Sequence, residues 1–321
     1  TNPESCDAEY LVEAGLLEPL LSSLVVCLQN ASLEVQPYCL DLLGCVAQVS
    51  GDNFAPYYAS FMPGIKNTLV TAQGPLLVTL RGQAMDCVGL IGDAVGSSVF
   101  SQDAADVMQL LIKDLKSSSA EAQDVAFDYI LPACARIARA LGVSFSPFLS
   151  DVMAPLLAGA SQVITCTIED AGDEDNEGEA IKDEETGMES AVMSVGGLKK
   201  RVTMNTYAVH QKDQAARMLF EFAEALKGDL APHLMPAIEV TLSMITDKHS
   251  SDMRASAALA LAKLFEAALD AASKSYLDSS ALGGVLQSSL NRLLESQKGE
   301  INGSARACSA DALSDILLAC Y

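Results

Sequence analysis

Three stretches of this chain echo one another at separations too long for a single helix or hairpin: NFAPYYASFMPGI from Asn53, SFSPFLSDVMAPL from Ser144 and DLAPHLMPAI from Asp229. Each sets a proline two residues after an apolar residue, Phe54 before Pro56, Phe145 before Pro147 and Leu230 before Pro232, and then runs into an amphipathic segment. Proline suits the first turn of a helix, where its missing N–H has no intrahelical partner. A recurring helix start constrains the fold strongly, because each repeat unit can bury its apolar face only by stacking on its neighbours.

A second amphipathic run follows each of these starts, as in AEAQDVAFDYILPACARIARAL from Ala120, QKDQAARMLFEFAEALKG from Gln211 and SDMRASAALALAKLFEAAL from Ser251. Apolar residues recur there at helical spacing. Paired helices are therefore expected throughout. First helices should begin near Tyr10, Phe54, Asp103, Phe145, Leu230 and Ser280, and second helices near Leu33, Leu76, Ala120, Gln211, Ser251 and Ser304. Most steps approach the roughly 40–47 residues of HEAT-type repeats. The expected fold is all-α, a HEAT-repeat α-solenoid of about six helix pairs in a right-handed superhelix, one array over residues 1–321. Apolar content of 50%, with few aromatic residues and no Trp, agrees with helix over sheet. The chain opens without Met and ends in the apolar run DALSDILLACY, so a fragment of something longer is expected.

One interval breaks the period. Phe145 to Leu230 spans almost two repeats yet supplies one helix pair, and the surplus, residues 163–206, reads as an insertion between the first and second helices of the fourth repeat. Within it, Ile168 to Ser190 holds eleven carboxylates against one lysine, −10 of the chain's formal −22. Like charge at that density, with Gly172, Gly178 and Gly187, predicts a segment that does not pack by itself. Glu169, Asp170, Asp173, Glu174, Asp175, Glu177, Glu179, Asp183, Glu184 and Glu185 are its candidate partner-contacting residues, either for a basic protein or for the nearby Leu198–Arg201 run LKKR. A near EF-hand spacing, Asp173, Asp175, Glu177, Gly178 and Glu184, has Ala180 where a large apolar residue belongs, and its entering helix would be the unsuited SQVITCT.

Chemistry-bearing motifs are missing. His210, His233 and His249 share no ligand spacing, nine cysteines include no C-x-x-C pair, and no phosphate-binding or nucleophile-elbow motif occurs. No enzyme activity, cofactor or metal is expected, and the cysteines read as free thiols of a reducing compartment. No secretory leader or uncharged membrane-length apolar run is read. Gly89, Gly92 and Gly96 fall on a helical period and should let helices approach closely. Strong acidity disfavours nucleic acid and anionic membranes and favours basic partners.

Polar stripes on the second helices are the other candidate site. On a 3.6-residue period Glu121, Asp124 and Asp128 share one face; Gln214, Arg217, Glu221 and Glu224 share another; Asp252 and Glu266, with Ser256 and Lys263, share a third; Asp311 follows with Ser314. Any one stripe is an ordinary solvated face. Stacked in register on a concave wall they would make an extended, mostly anionic groove.

FAPYYASFMPGIKNTLV from Phe54, LRGQAMDCVGLIGDAVG from Leu80, FSQDAADVMQLLIKDL from Phe100 and the sequence GGLKKR followed by QKDQAARMLFEFAEALKG after an acidic insert resemble the central repeats of importin-beta-type nuclear transport receptors, particularly the importin subunit beta-3 branch. The resemblance implies a monomeric receptor shuttling between cytoplasm and nucleus. It would hold basic localisation signals of cargo on the acidic concave face and bind FG-repeat nucleoporins between outer helices. Release would be driven by the GTPase Ran, whose contacts lie largely in amino-terminal repeats. Without Trp, tryptophan-based cargo stacking is not expected. The residues alone also fit a HEAT-repeat scaffold for a non-transport complex.

Overall fold

A computed structural model describes residues 11–116, 125–172, 180–183 and 188–320. In chain order the helices are α1 (Leu17–Asn30), α2 (Gln36–Ser50), α3 (Tyr58–Thr71), α4 (Val78–Leu115), α5 (Leu131–Leu141), α6 (Ser146–Ala160), α7 (Thr206–Leu226), α8 (Ala231–Met244), α9 (Ser251–Ser273), α10 (Ser279–Gly299) and α11 (Gly303–Ala319). The strands β1 (Cys166–Asp170), β2 (Ala180–Asp183), β3 (Met188–Val195) and β4 (Leu198–Asn205) lie between α6 and α7. The helices follow the first-then-second alternation expected of HEAT pairs, and the architecture is an all-α HEAT-repeat solenoid with a small sheet inserted.

The repeated sequence has a repeated local structure. Phe54, Phe145 and Leu230 are fully buried; Phe145 and Leu230 close the 3₁₀ turns Gly142–Phe145 and Lys227–Leu230, and Phe54 is the middle residue of the longer turn Gly51–Tyr57. Three residues before each anchor the backbone enters the left-handed region, at Gly51 (φ 52°), Gly142 (φ 54°) and Lys227 (φ 48°). One second helix thus ends, the chain turns on a buried anchor, and proline opens the next first helix. Later helices start on side-chain caps: Ser250 accepts from the Met253 N–H at 3.2 Å and Asn302 from the Ala305 N–H at 3.0 Å.

Helix α4 contains two pair members in 38 residues, parted at Gly96 (φ 66°). The first helix of the third pair begins directly after that glycine, ahead of the expected Asp103, because one residue in a conformation open to glycine suffices to turn the chain. Gly89 and Gly92 behave as expected: a Cβ on Gly89 would lie 2.9 Å from the Ala133 Cα, and one on Gly92 3.1 Å from the Phe100 ring. Gly96 has nothing within 4 Å; it is the kink and no packing contact.

By internal contact the chain divides into two compact units, Thr1–Pro155 with Glu224–Asp229, and Leu156–Ala223 with Leu230–Tyr321. In the first, α4 packs against α2, α3 and α5 around Leu43, Met85, Val88, Ile91, Phe100, Met108 and Ile137. Ion pairs join successive first helices, Lys66 to Asp103 and Asp106 at 2.8 Å each, with the Tyr58 hydroxyl donating to Asp103. In the second unit α9 packs on α8, α10 and α11, with Leu261, Leu264, Phe265 and Ala268 fully or nearly fully buried. Arg254 and Glu300 close this core at the α10–α11 corner, at 2.6 Å.

The insertion differs from its expectation. Its described residues form a four-stranded antiparallel sheet in the order β1-β4-β3-β2. Alternation in AVMSV and LKKRVTMN around a two-glycine turn outweighs the local charge, and Gly196 (φ 62°) and Gly197 (φ 82°) supply the positive φ values such a hairpin turn requires. Residues Ala126–Ala160 also hold a window long and apolar enough to cross a membrane by composition. Gly142 breaks that stretch into helices of 11 and 15 residues, each short of the roughly 20 that a span requires.

Candidate functional site

Second helices of the second unit bring members of two predicted stripes together, while Gln214, Glu224, Glu266 and Asp311 do not line the same groove. Arg217 and Glu221 of α7, Asp252 and Ser256 of α9 and Ser304 of α11 line one groove of about 480 Å³, floored by Met218 and Leu259. Helical spacing puts Arg217 and Glu221 one turn apart, and Asp252 sits in the first turn of α9, where the helix dipole favours a carboxylate. Asp213 fixes the register: it accepts from the Ser256 hydroxyl at 2.8 Å across the groove and from Arg217 Nε at 3.1 Å along its own helix. Gln214 and Glu221 are half-buried, while Glu224, Asp252 and Asp311 are exposed.

The charge is less uniform than the stripes suggest. Arg217 leans on Asp213, and Glu266 is held by Lys263 at 3.0 Å. Arg217 and Glu266 are therefore partly neutralised within their own helices, and the carboxylates that line the groove itself are Glu221 and Asp252. Asp128 is exposed in the π-helical turn Ala126–Ile130 ahead of α5. Glu121 and Asp124 lie outside the described residues.

The first unit carries second-helix ion pairs that the stripes did not include. Asp86 pairs with Arg136, and Asp93 with Arg139 at 3.2 Å, joining the first limb of α4 to α5. Burial raises the Asp93 carboxyl above its ordinary range, against the pull of Arg139 and Arg136. The sequence signal was present: Asp86 and Asp93 are seven apart, two helical turns on one face. Their partners lie 50 and 46 residues on, which only the stacking reveals.

A second groove, about 370 Å³, lies between the first helices α1 and α3 of the same unit, walled by Val25, Leu28, Phe61, Ile65, Leu40 and Leu80 with Asn67 and Thr68 at its edge. Its wall is mainly apolar, with Gln29, Gln36, Ser60 and Thr71 also lining it, and no charged side chain does so.

In the insertion, Lys200 donates to Asp170 at 2.5 Å, and Glu169 stands opposite Arg201 across the β1–β4 ladder. The acidic stretch thus does fold back on LKKR at its leading end. Asp183 ends β2 and is exposed. Asp173, Glu174, Asp175, Glu177, Glu179, Glu184 and Glu185, and with them the EF-hand-like spacing, lie outside the described residues. Among the described residues no His, Cys, Asp and Glu cluster is disposed to hold a metal ion.

Stacked HEAT pairs, with a polar second-helix groove and a mainly apolar cleft between first helices, define a helical-repeat protein. Residues 16–176 match the family described as importin subunit beta-1-like, TPR repeats, and the chain belongs to the importin-beta family of nuclear transport receptors. It is 29% identical over 228 residues to importin subunit beta-3 of Saccharomyces cerevisiae, covering 70% of this chain and 20% of that protein. The fold matches a crystal structure of Kap121p bound to Ste12p with a TM-score of 0.78 at 22% identity, over 98% of this chain and 28% of that one. It matches Kap121p bound to Nup53p with a TM-score of 0.76 at 23% identity, over 95% and 27%. The chain therefore spans about a fifth of the curated relative's length.

Proposed function

We propose that these repeats bind basic localisation signals of cargo within a nuclear import receptor that shuttles between cytoplasm and nucleus. The observation that carries the reading is the convergence of Glu221 and Asp252 from neighbouring second helices on one groove. A lysine- or arginine-rich segment laid there meets carboxylates on successive helices. Each partly exposed pair contributes little, on the order of 0.2–1 kcal/mol, so affinity comes from several contacts in series on one chain. Glu121, Asp124, Asp128, Glu224 and Asp311 are assigned to the same acidic series by sequence alone, and Gln214 supplies neutral hydrogen bonding.

The apolar groove between α1 and α3 suits the phenylalanine side chains of FG-repeat nucleoporins. Kap121p has been solved bound to Nup53p, which supports a nucleoporin partner for this chain as well. Ran is the releasing partner in this reading, with its main contacts in repeats outside this chain, and the insertion's carboxylates are candidate contacts for basic partners by charge. The repeats act as a monomer.

The test is a titration of a lysine-rich signal peptide at two ionic strengths, on wild type and on a triple variant Glu221→Gln, Glu224→Gln, Asp252→Asn. Affinity should fall by roughly tenfold, and its salt dependence should flatten, because fewer screened charge pairs remain. An unchanged affinity rejects the groove. Binding of FG peptides, lost on Phe61→Ala, separates a transport receptor from a scaffold of the same fold.

A further inference from the structure

The geometry points to β1 as an open sheet edge that takes a basic, extended peptide as a fifth strand. This goes beyond the helical groove and rests on the reading that the insertion meets a basic partner; what it adds is the mode of binding and a sequence preference.

β1 is at the end of the sheet order, and all five of its residues are exposed. Its ladder with β4 is anchored by the Asn205 N–H donating to the Thr165 carbonyl and the Ala171 N–H donating to the Lys199 carbonyl. In an antiparallel pair the hydrogen-bonding residues alternate, so residues 165, 167, 169 and 171 address β4. The N–H and C=O groups of Cys166, Ile168 and Asp170 therefore point away from the sheet. An exposed edge of this kind is a template for another strand.

The side chains indicate which strand. Ile168, 60% exposed, forms a row with Val202 and Ala191 on one face, continued by exposed Met193 and Leu198. The opposite face is the one that carries Val192, 3% exposed. On its inner side β1 already shows what it accepts. Asp170 stands opposite Lys200, Glu169 opposite Arg201 and Ile168 opposite Val202. A second strand reading Lys-Arg-Val, added outside β1, would repeat those three pairings. Five carboxylates follow within Asp173–Glu179 in sequence and increase the attraction for such a segment. The same charge, −10 over Ile168–Ser190, repels a second copy of this chain from the edge.

The probe is a capped LKKRVTMN peptide, copied from β4, and two versions methylated on one backbone nitrogen. At the outer edge the peptide's valine pairs with Ile168, so methylating its nitrogen should weaken binding about tenfold through the lost bond and blocked approach. Methylating the arginine nitrogen, which would face solvent, should leave affinity unchanged. On the protein side Ile168→Pro removes only an outward-facing N–H, a position where an edge strand tolerates proline. It should weaken the peptide comparably, and in wild type the peptide should slow amide exchange at Cys166, Ile168 and Asp170. Equal binding of all three peptides overturns strand addition while leaving an electrostatic contact in place. Sensitivity at arginine in place of valine means β4 is displaced, and overturns it as well. No binding by any peptide removes both readings, and a dimer abolished by Ile168→Pro assigns the edge to a second copy instead.

Discussion

Arg254 in α9 clamps Glu300 at the α10–α11 corner with two parallel bonds, Nε to one carboxylate oxygen at 2.6 Å and a terminal nitrogen to the other at 2.9 Å. The Glu300 side chain is only 2% exposed. Hydrogen bonds from Arg254, joined by the backbone N–H groups of Asn302 and Ile301, hold its carboxyl below the usual range. A depressed carboxylate contributes stability that is complete above its unfolded pKa, about 4.3, and lost as pH falls through the folded value. The second unit should therefore lose stability below about pH 4. Glu300→Gln should remove that part of the acid sensitivity, and Arg254→Met should cost about 3 kcal/mol at pH 7 by leaving a buried charge unpaired. Urea unfolding of both variants at pH 7 and pH 4 checks the pair; a pH-independent difference from wild type would contradict it.

Lys227 occupies the place that Gly51 and Gly142 hold in the equivalent turns, with φ 48° against 52° and 54°. A side chain there carries a left-handed penalty of roughly 1–2 kcal/mol that glycine avoids. Lys227→Gly should stabilise the protein by about 1 kcal/mol after glycine's own entropy cost is deducted. Gly142→Ala should destabilise by a similar amount. The measurement is the urea midpoint at constant m-value.

The helix pairs were legible because their apolar period and proline-led starts are local, and the buried anchors Phe54, Phe145 and Leu230 are the residues those starts pointed to. Glu221 and Asp252 line one groove. Partnerships between distant residues were not legible. Asp86 finds Arg136, and Asp93 finds Arg139, only once α4 and α5 stack, whereas the local Lys263–Glu266 pair has the i,i+3 spacing that the sequence shows. The sheet was missed for a different reason. The carboxylates of Ile168–Ser190 dominate the composition there, while the period-two alternation on either side of Gly196 and Gly197 is short.

Gly89 faces the backbone of α5, where an added Cβ would come within 2.9 Å of the Ala133 Cα. Backbone cannot swing aside as a side chain does, so Gly89→Ala should separate α4 from α5 and cost about 1–3 kcal/mol. Gly64 is the control, in mid-helix with nothing within 4 Å of its added Cβ. Gly64→Ala should stabilise by up to about 1 kcal/mol through helix propensity alone. Opposite signs in thermal melting of the two variants are the expected result; equal effects would mean that close approach does not limit the α4–α5 contact.

The β3–β4 hairpin turns on Gly196 and Gly197 with φ 62° and 82°, and its ladder runs from Val195 opposite Leu198 to Met188 opposite Asn205. Substituting both glycines by alanine strains two successive residues in the left-handed region, at roughly 1–2 kcal/mol each. The helices have their own core at Leu261, Phe265 and their neighbours, so the strain should fall on the sheet. Amide exchange in β3 and β4 should accelerate at least tenfold while exchange in α9 and the far-ultraviolet helical signal stay unchanged. Because β4 is the one strand that β1 pairs with among the described residues, the Lys200–Asp170 contact should loosen with it, and binding of LKKRVTMN at the β1 edge should weaken in parallel. Faster exchange throughout α9 would instead mean that the insertion and the helical core unfold together.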